Sequence, residues 1–368
     1  MDTSETLYRL EFIRAFETEL LDRVGAGGVR GTCHACVGQE AVALAVASAL
    51  LPGDRIASTH RGHGHFLARF QDPASAVALA AEIYGKSGGL CGGWGGTQHL
   101  QADGFQSNGI TGGMAPVAAG QALAWTLPGV DRAGRIIAAF LGDGALAQGV
   151  VYETMNIASL RRLPILFVIE NNGYAMSTPA KATIAASDPG ATVSDSIYAR
   201  ATALGIAAVS VDADDWDAMA QRARETIEAM RLDPPAPRLI VFNTYRFCGH
   251  SKSDAGEYRP DGEFERWAAD DPLRKLADRL SETIGSDAVE SIHRRARQDA
   301  AAAFDAAAAQ PDAIPPRTDA DINAFAFAPH SGAPSSVRHQ PPAGRPDELC
   351  GALIARAIIV PSSSSGFQ

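Results

Sequence analysis

The sequence predicts an α/β protein: a doubly wound, mostly parallel sheet with helices on both faces and a helical C-terminal appendage. Two observations lead there. Four short runs, at 135–141 (RIIAAFL), 164–170 (PILFVIE), 206–211 and 238–244 (RLIVFNT), are apolar almost throughout, as strands buried on both faces are. Helical segments at 146–160, 198–205 and 214–231 lie between them, so strand follows strand by way of a helix and neighbours run parallel.

The other elements follow in chain order. Leu7, Leu10, Phe12, Ile13, Phe16, Leu20 and Leu21 recur at helical spacing over 4–25, with charges between them, and Gly25, Gly27 and Gly28 end that helix. A second helix is expected from Gln39 to Leu51, closed by the turn Pro52-Gly53-Asp54. Residues 85–120 are Gly-rich and weakly periodic; a stretch that long without periodicity reads as a functional loop, given its Trp, His and Cys, before a helix from about Val117 to Trp125. Two helices with an Ala-rich end are expected over 271–308. Past Gln310, Pro, Ser, Ala and Gly dominate. The expected division is one folded domain over 1–310 and a mobile tail over 311–368.

Composition removes several function classes. The net charge is −10 with no basic stripe to offset it, which argues against nucleic acid. No run of 18 apolar residues predicts a membrane helix, and the acidic start at 1–5 has no apolar segment of a signal peptide. Five cysteines, an odd number scattered along the chain, suggest a reducing cytoplasm. Against the acidic total, His60, Arg61, His63 and His65 follow one another with no acid between them, a local cluster suited to a small anion.

The chemistry concentrates where two predicted strands end. Leu141-Gly142-Asp143-Gly144 closes one, and Glu170-Asn171-Asn172-Gly173-Tyr174 closes the next. Open α/β sheets bind ligands at that carboxyl edge. Gly142 and Gly144 let the backbone approach a bulky anion, and the amides at the start of the following helix can donate to phosphate oxygens. Asp143, the Asn172 side chain and the Tyr174 carbonyl offer oxygens to a hard cation such as Mg²⁺, which takes six in octahedral geometry. Taken alone, Gly-Asp-Gly also occurs in simple turns.

GDG followed after 26 residues by NN resembles the thiamine diphosphate motif. The flanks are similar, in the same order, to the alpha subunits of 2-oxo acid dehydrogenase first components: 33–42 (CHACVGQEAV), 59–65 (THRGHGH), 81–86 (AEIYGK), 88–93 (GGLCGG), 108–113 (NGITGG) and 244–251 (TYRFCGHS). Within that family the acetoin dehydrogenase alpha subunits look most similar. The resemblance covers residues 7–275 and implies the thiamine diphosphate-binding fold. It implies Asp143, Asn172 and the Tyr174 carbonyl as Mg²⁺ ligands, and His60, Arg61 and His250 as diphosphate contacts. Gly142, Gly144 and Ala145 would lie against the phosphates, Gly109 and Thr111 against the aminopyrimidine. His63 would be a catalytic histidine facing the substrate, with His250 beside it. It further implies a beta subunit that supplies the pyrimidine-binding domain and the activating Glu, in a heterotetramer of two alpha and two beta chains. A 2-oxo acid or a ketol would be the substrate, and a lipoyl domain or other carrier the acceptor.

Departures cluster near the expected pocket. His60 stands where many members have Tyr, although acetoin-type members have His. Cys248, 96–99 (GTQH), Thr111 and 114–116 (MAP) also differ from the common pattern. They motivate one alternative, a biosynthetic two-carbon transferase that loads an acyl carrier protein; another is a non-catalytic cofactor-binding subunit. Cys33 and Cys36 form a Cys-x-x-Cys with no second ligand pair at zinc spacing, so ordinary thiols are expected. His65 and His99 read equally well as structural histidines, and Lys86 as a surface residue. The polar loop with Ser251, Ser253 and Asp254 is expected to order over bound cofactor.

Overall fold

The computed structural model describes residues 2–314 except 30, 128, 131 and 233. The chain opens with α1 (Thr3–Gly25) and α2 (Glu40–Ala49), then β1 (Arg55–Ser58), α3 (His63–Arg69) and α4 (Pro73–Tyr84). The Gly-rich region holds β2 (Gln101–Ala102) and β3 (Phe105–Ser107), and α5 (Met114–Ala124) follows. Next come β4 (Ile137–Gly142), a 3-10 turn (Asp143–Ala147), α6 (Gly149–Leu160) and β5 (Ile165–Asn171). A small hairpin, β6 (Tyr174–Ala175) and β7 (Thr178–Pro179), leads into α7 (Ala180–Thr183) and α8 (Val193–Ala203). The fold closes with β8 (Ala207–Asp212), α9 (Trp216–Met230), β9 (Arg238–Asn243), α10 (Glu263–Ala269), α11 (Pro272–Ile284) and α12 (Ser286–Ala308).

Seven strands form one sheet in the order β2-β3-β1-β4-β5-β9-β8, parallel throughout except for the β2–β3 pair. The apolar runs explain this placement. In β4, Ala138 and Phe140 pack into one core with α1–α4, α9, α11 and α12, while Ile137, Ala139 and Leu141 pack into a second core with α5, α6 and α8. Leu166 and Val168 of β5 join the first core; Ile165, Phe167 and Ile169 join the second. Side chains alternate across a strand, so a central strand with a helical layer on each face must be apolar at every position. The C-terminal helices extend the first core: Phe304 of α12 meets Phe16 of α1 with ring centroids 4.5 Å apart, and Tyr84 of α4 at 5.7 Å.

Several boundaries differ from the expected ones. Helix α5 starts at Met114 rather than near Val117. Helix α6 starts at Gly149, because the GDG segment winds into a 3-10 turn first. Helix α8 starts at Val193 through a capping box in which Thr192 and Asp195 bond each other's amides. The 85–120 region is less loop-like than its composition suggests. The buried Glu82 carboxylate accepts from the amides of Cys91 (2.6 Å), Gly93 (2.9 Å), Gly95 (2.6 Å) and Gly96 (3.0 Å), gathering the glycines around one charge. Residues 311–314, expected to begin the tail, clip onto this loop. The Ser87 amide donates to the Pro311 carbonyl, the Ala313 amide to the Gly85 carbonyl, and Lys86 pairs with Asp312 at 2.7 Å. The remainder of the expected tail, with Cys350, lies outside the described residues.

Candidate functional site

A cavity of about 340 Å³ opens at the carboxyl ends of β1, β4 and β5, within the range of small-molecule sites. Gly142, Asp143, Gly144 and Ala145 wall one side and Asn172 and Tyr174 another. His60, Arg61, Arg246 and His250 also line it, and Gly109 and Thr111 stand beside exposed Ile110 at its mouth. Exposed Ile110 and Met176 make the rim beside Thr111 apolar.

Asp143 is almost fully buried. Its Oδ1 accepts from the Gly144 amide at 2.7 Å, and its Oδ2 has no partner. Burial pushes the carboxyl up to about 6 from an ordinary 3.8, against the Gly144, Gly173 and Tyr174 amides and the Arg246 charge, all of which favour the anion. Asn172 is held nearby: its Nδ2 donates to Gln39 Oε1 (3.3 Å), and its Oδ1 accepts from the Tyr174 amide (3.2 Å). An unpartnered buried carboxylate oxygen beside an amide oxygen is a hard-oxygen donor set suited to a divalent cation. Gly144 leaves no room for a side chain, since a Cβ would stand 2.7 Å from that of Ala175. Its amide is already engaged by Asp143, so of the two expected phosphate donors Ala145 is the one with no amide contact to that carboxylate. At the mouth, a Cβ on Gly109 would meet Gln98 Oε1 at 2.3 Å.

The part of the lining that carries Arg61 and Arg246 is cationic. Arg61 is buried and bonds the carbonyls of Ala35 and, at 3.1 Å, His250. Arg246 donates to the Tyr258 hydroxyl (2.6 Å) and the Cys248 carbonyl (3.2 Å), and burial together with Arg61 lowers its affinity for its proton. Three imidazoles gather there, with ring centroids 4.7 Å apart for His34 and His60, 4.9 Å for His34 and His250, and 5.6 Å for His60 and His250. Burial first, then Arg61, pulls His34 down to about 3, His60 to about 2 and His250 to about 4. All three are therefore neutral at pH 7, and the positive charge of this wall rests on the two guanidiniums. A polyanion placed here would raise the imidazoles again.

The structure thus brings together His60, Arg61, Gly109, Thr111, Gly142, Asp143, Gly144, Ala145, Asn172, Tyr174 and His250 around one cavity. His63 is a correction to the expected catalytic role. It does not line the cavity: its ring is fully buried, with Nδ1 3.0 Å from Glu17 Oε1 and Nε2 2.9 Å from the Thr97 carbonyl. The cause is local. Helix α3 begins at His63, so His60 and Arg61 precede it and turn into the cavity, whereas His63 points back to α1. The imidazole in its place is His34, which sequence reasoning passed over as part of a Cys-x-x-Cys. Backbone bonds from the Phe247 amide to the Val37 carbonyl and from the Lys252 amide to the Cys33 carbonyl set its segment beside His250. Arg246 was also missed, although it belongs to the 244–251 segment. The Ser251–Asp254 loop carries its own order: Asp254 accepts from the His250 and Gly256 amides and the Tyr258 hydroxyl.

The family model of the dehydrogenase E1 component matches residues 8–315. The alpha subunit of acetoin:2,6-dichlorophenolindophenol oxidoreductase from Cupriavidus necator is 40% identical over 304 residues, which is 82% of this chain and 87% of that one. The protein of the same name from Bacillus subtilis is 37% identical, over 77% and 82% of the two chains. The pyruvate dehydrogenase E1 component subunit alpha of Rhizobium meliloti is 33% identical, over 82% and 84%. With the motif residues meeting at one sheet edge and relatives matched along most of their length, the chain belongs to the dehydrogenase E1 component family, among the alpha subunits of thiamine diphosphate-dependent 2-oxo acid dehydrogenases.

Proposed function

We propose that this chain holds the diphosphate end of thiamine diphosphate, with Mg²⁺, in the cavity at the ends of β1, β4 and β5. It would act as the alpha half of a heterotetramer on a 2-oxo acid or a ketol such as acetoin, and pass the acyl or hydroxyalkyl unit to a lipoyl domain or another carrier. The observation that carries the reading is the orphaned Oδ2 of buried Asp143, in a cavity that Asn172 and two guanidiniums, Arg61 and Arg246, also line. A cation there meets both an unpaired carboxylate oxygen and the phosphates that Arg61 and Arg246 attract.

When bound, the cofactor supplies an electron sink for carbon–carbon bond cleavage. The residues of this chain do the rest. Asp143, Asn172 and the Tyr174 carbonyl would hold the metal. Arg61 and Arg246 would neutralise diphosphate charge, with His34, His60 and His250 as hydrogen-bond donors to it. Gly109 and Thr111 border the ring at the mouth. The apolar rim at Ile110 and Met176 fits a beta subunit that completes the site, in keeping with relatives named as alpha subunits.

The test is isothermal titration of thiamine diphosphate into the chain assembled with its beta partner, with and without Mg²⁺, beside Asp143→Ala. The expected result is Mg²⁺-dependent binding that the substitution abolishes. An assembled complex that binds no cofactor would overturn the reading and favour a non-catalytic subunit.

A further inference from the structure

Behind the cavity wall lies a buried chain of three polar groups that the proposed binding contacts do not use. Ser58 ends β1, Glu170 lies near the end of β5, and both line the cavity. His65 of α3 stands one layer back. Its Nδ1 is 2.7 Å from Ser58 Oγ, its Nε2 is 3.3 Å from Glu170 Oε1, and its ring stacks on Phe140 of the intervening β4 at 3.8 Å. All three polar side chains are buried. The imidazole therefore spans three adjacent strands directly beneath the site.

The donors and acceptors admit one neutral arrangement with a carboxylate at Glu170. A carboxylate only accepts, so Nε2 carries the proton. Nδ1 is then a lone pair, and the Ser58 hydroxyl must donate to it. With its hydrogen committed, Ser58 turns only lone pairs toward the cavity. We propose that His65 is a positioning residue that fixes Ser58 as an obligate hydrogen-bond acceptor in the cavity wall and holds the Glu170 carboxylate in place beside it. The group Ser58 reads must bring its own hydrogen: an O–H, an N–H or a metal-bound water. That this group belongs to the cofactor complex rests on the function proposed above; the tautomer and the bridge do not.

Two arms test this on the assembled complex. In the first, ¹⁵N-histidine solid-state NMR at neutral pH, with the His65 signals assigned by their loss in His65→Leu, reads the tautomer without any ligand. The expected state is neutral with the proton on Nε2; a proton on Nδ1, or on both nitrogens, overturns the proposal. In the second, thiamine diphosphate with Mg²⁺ is titrated into wild type, His65→Leu, Ser58→Ala and the double variant. Each single change is expected to weaken binding about tenfold, the scale of one hydrogen bond near charge. The double variant is expected to match His65→Leu rather than multiply the two losses, because His65 acts through Ser58. His65→Asn, whose amide can meet Ser58, should recover part of the affinity. Multiplicative losses with no recovery would make His65 a space-filling residue and overturn the positioning role. If wild type binds no cofactor, the cofactor reading falls, and the tautomer still decides the orientation of Ser58.

Discussion

The Asp143 carboxylate is costly to the folded protein, and the size of that cost follows from its surroundings. Raising its affinity for the proton from 3.8 to about 6 is worth about 3 kcal/mol, at about 1.4 kcal/mol per pH unit. Between those values the folded chain holds more protons at this site than the unfolded chain does. Stability therefore falls as pH rises from about 4 to about 6, and the full penalty stands above that. Asp143→Asn removes the charge and keeps an oxygen for the Gly144 amide. It also places an NH₂ where Oδ2 has no partner, at a cost of about 1 kcal/mol or more. The charge effect is the larger, so the metal-free variant is expected to be more stable than wild type by about 1–2 kcal/mol at pH 8. Toward pH 4 the advantage disappears and the order reverses. Excess Mg²⁺ with thiamine diphosphate should also reverse it at pH 8, since a ligand at 100 times its Kd adds about 2.7 kcal/mol to whichever form binds it. The assay is urea unfolding of both proteins in chelator from pH 4 to pH 8, at one protein concentration, repeated with cofactor. A variant less stable than wild type at pH 8 in chelator, or a gap independent of pH, would refute the reasoning.

Two further substitutions separate scaffold from site. Glu82→Gln leaves at most one oxygen for the four amides of Cys91, Gly93, Gly95 and Gly96, so hydrogen exchange should quicken at two or more of them and stability should drop by about 3 kcal/mol; unchanged exchange would mean that the loop is held by something else. His63→Phe leaves the buried Glu17 carboxyl only the weak Cys36 thiol donor, and unfolding should become easier by about 3 kcal/mol, while cofactor affinity of the assembled complex stays within about threefold. Unchanged stability with lost turnover would return His63 to a direct role.

How much was legible depended on whether the signal was local. The central strands were, because β4 and β5 are buried on both faces and cannot hide that in their composition. GDG and NN were legible as neighbours at one sheet edge, because each directly follows the apolar run of a central strand. The short strands β2 and β3 were not. Two or three residues among glycines carry no period, and their place is set by the pairing of β3 with β1, remote in sequence, and of β2 with β3. The histidines show the same limit. His60, His63 and His65 lie within six positions of each other, and nothing in that string says which of them reaches the cavity.

By itself, then, the sequence determined the strand–helix alternation, the placing of Asp143 and Asn172 at one edge of the sheet, and the family. Only the tertiary structure decided which side chains face one another there. The start of α3 at His63 sends His60 and Arg61 into the cavity, His63 to Glu17 and His65 beneath Phe140. The pairing of the 33–37 segment with 247–252 brings His34 to His250. The physical reason is range. Burial, backbone conformation and ligand chemistry act through a residue and its near neighbours, whereas the direction of a side chain depends on where a helix begins and on what distant segment packs against it.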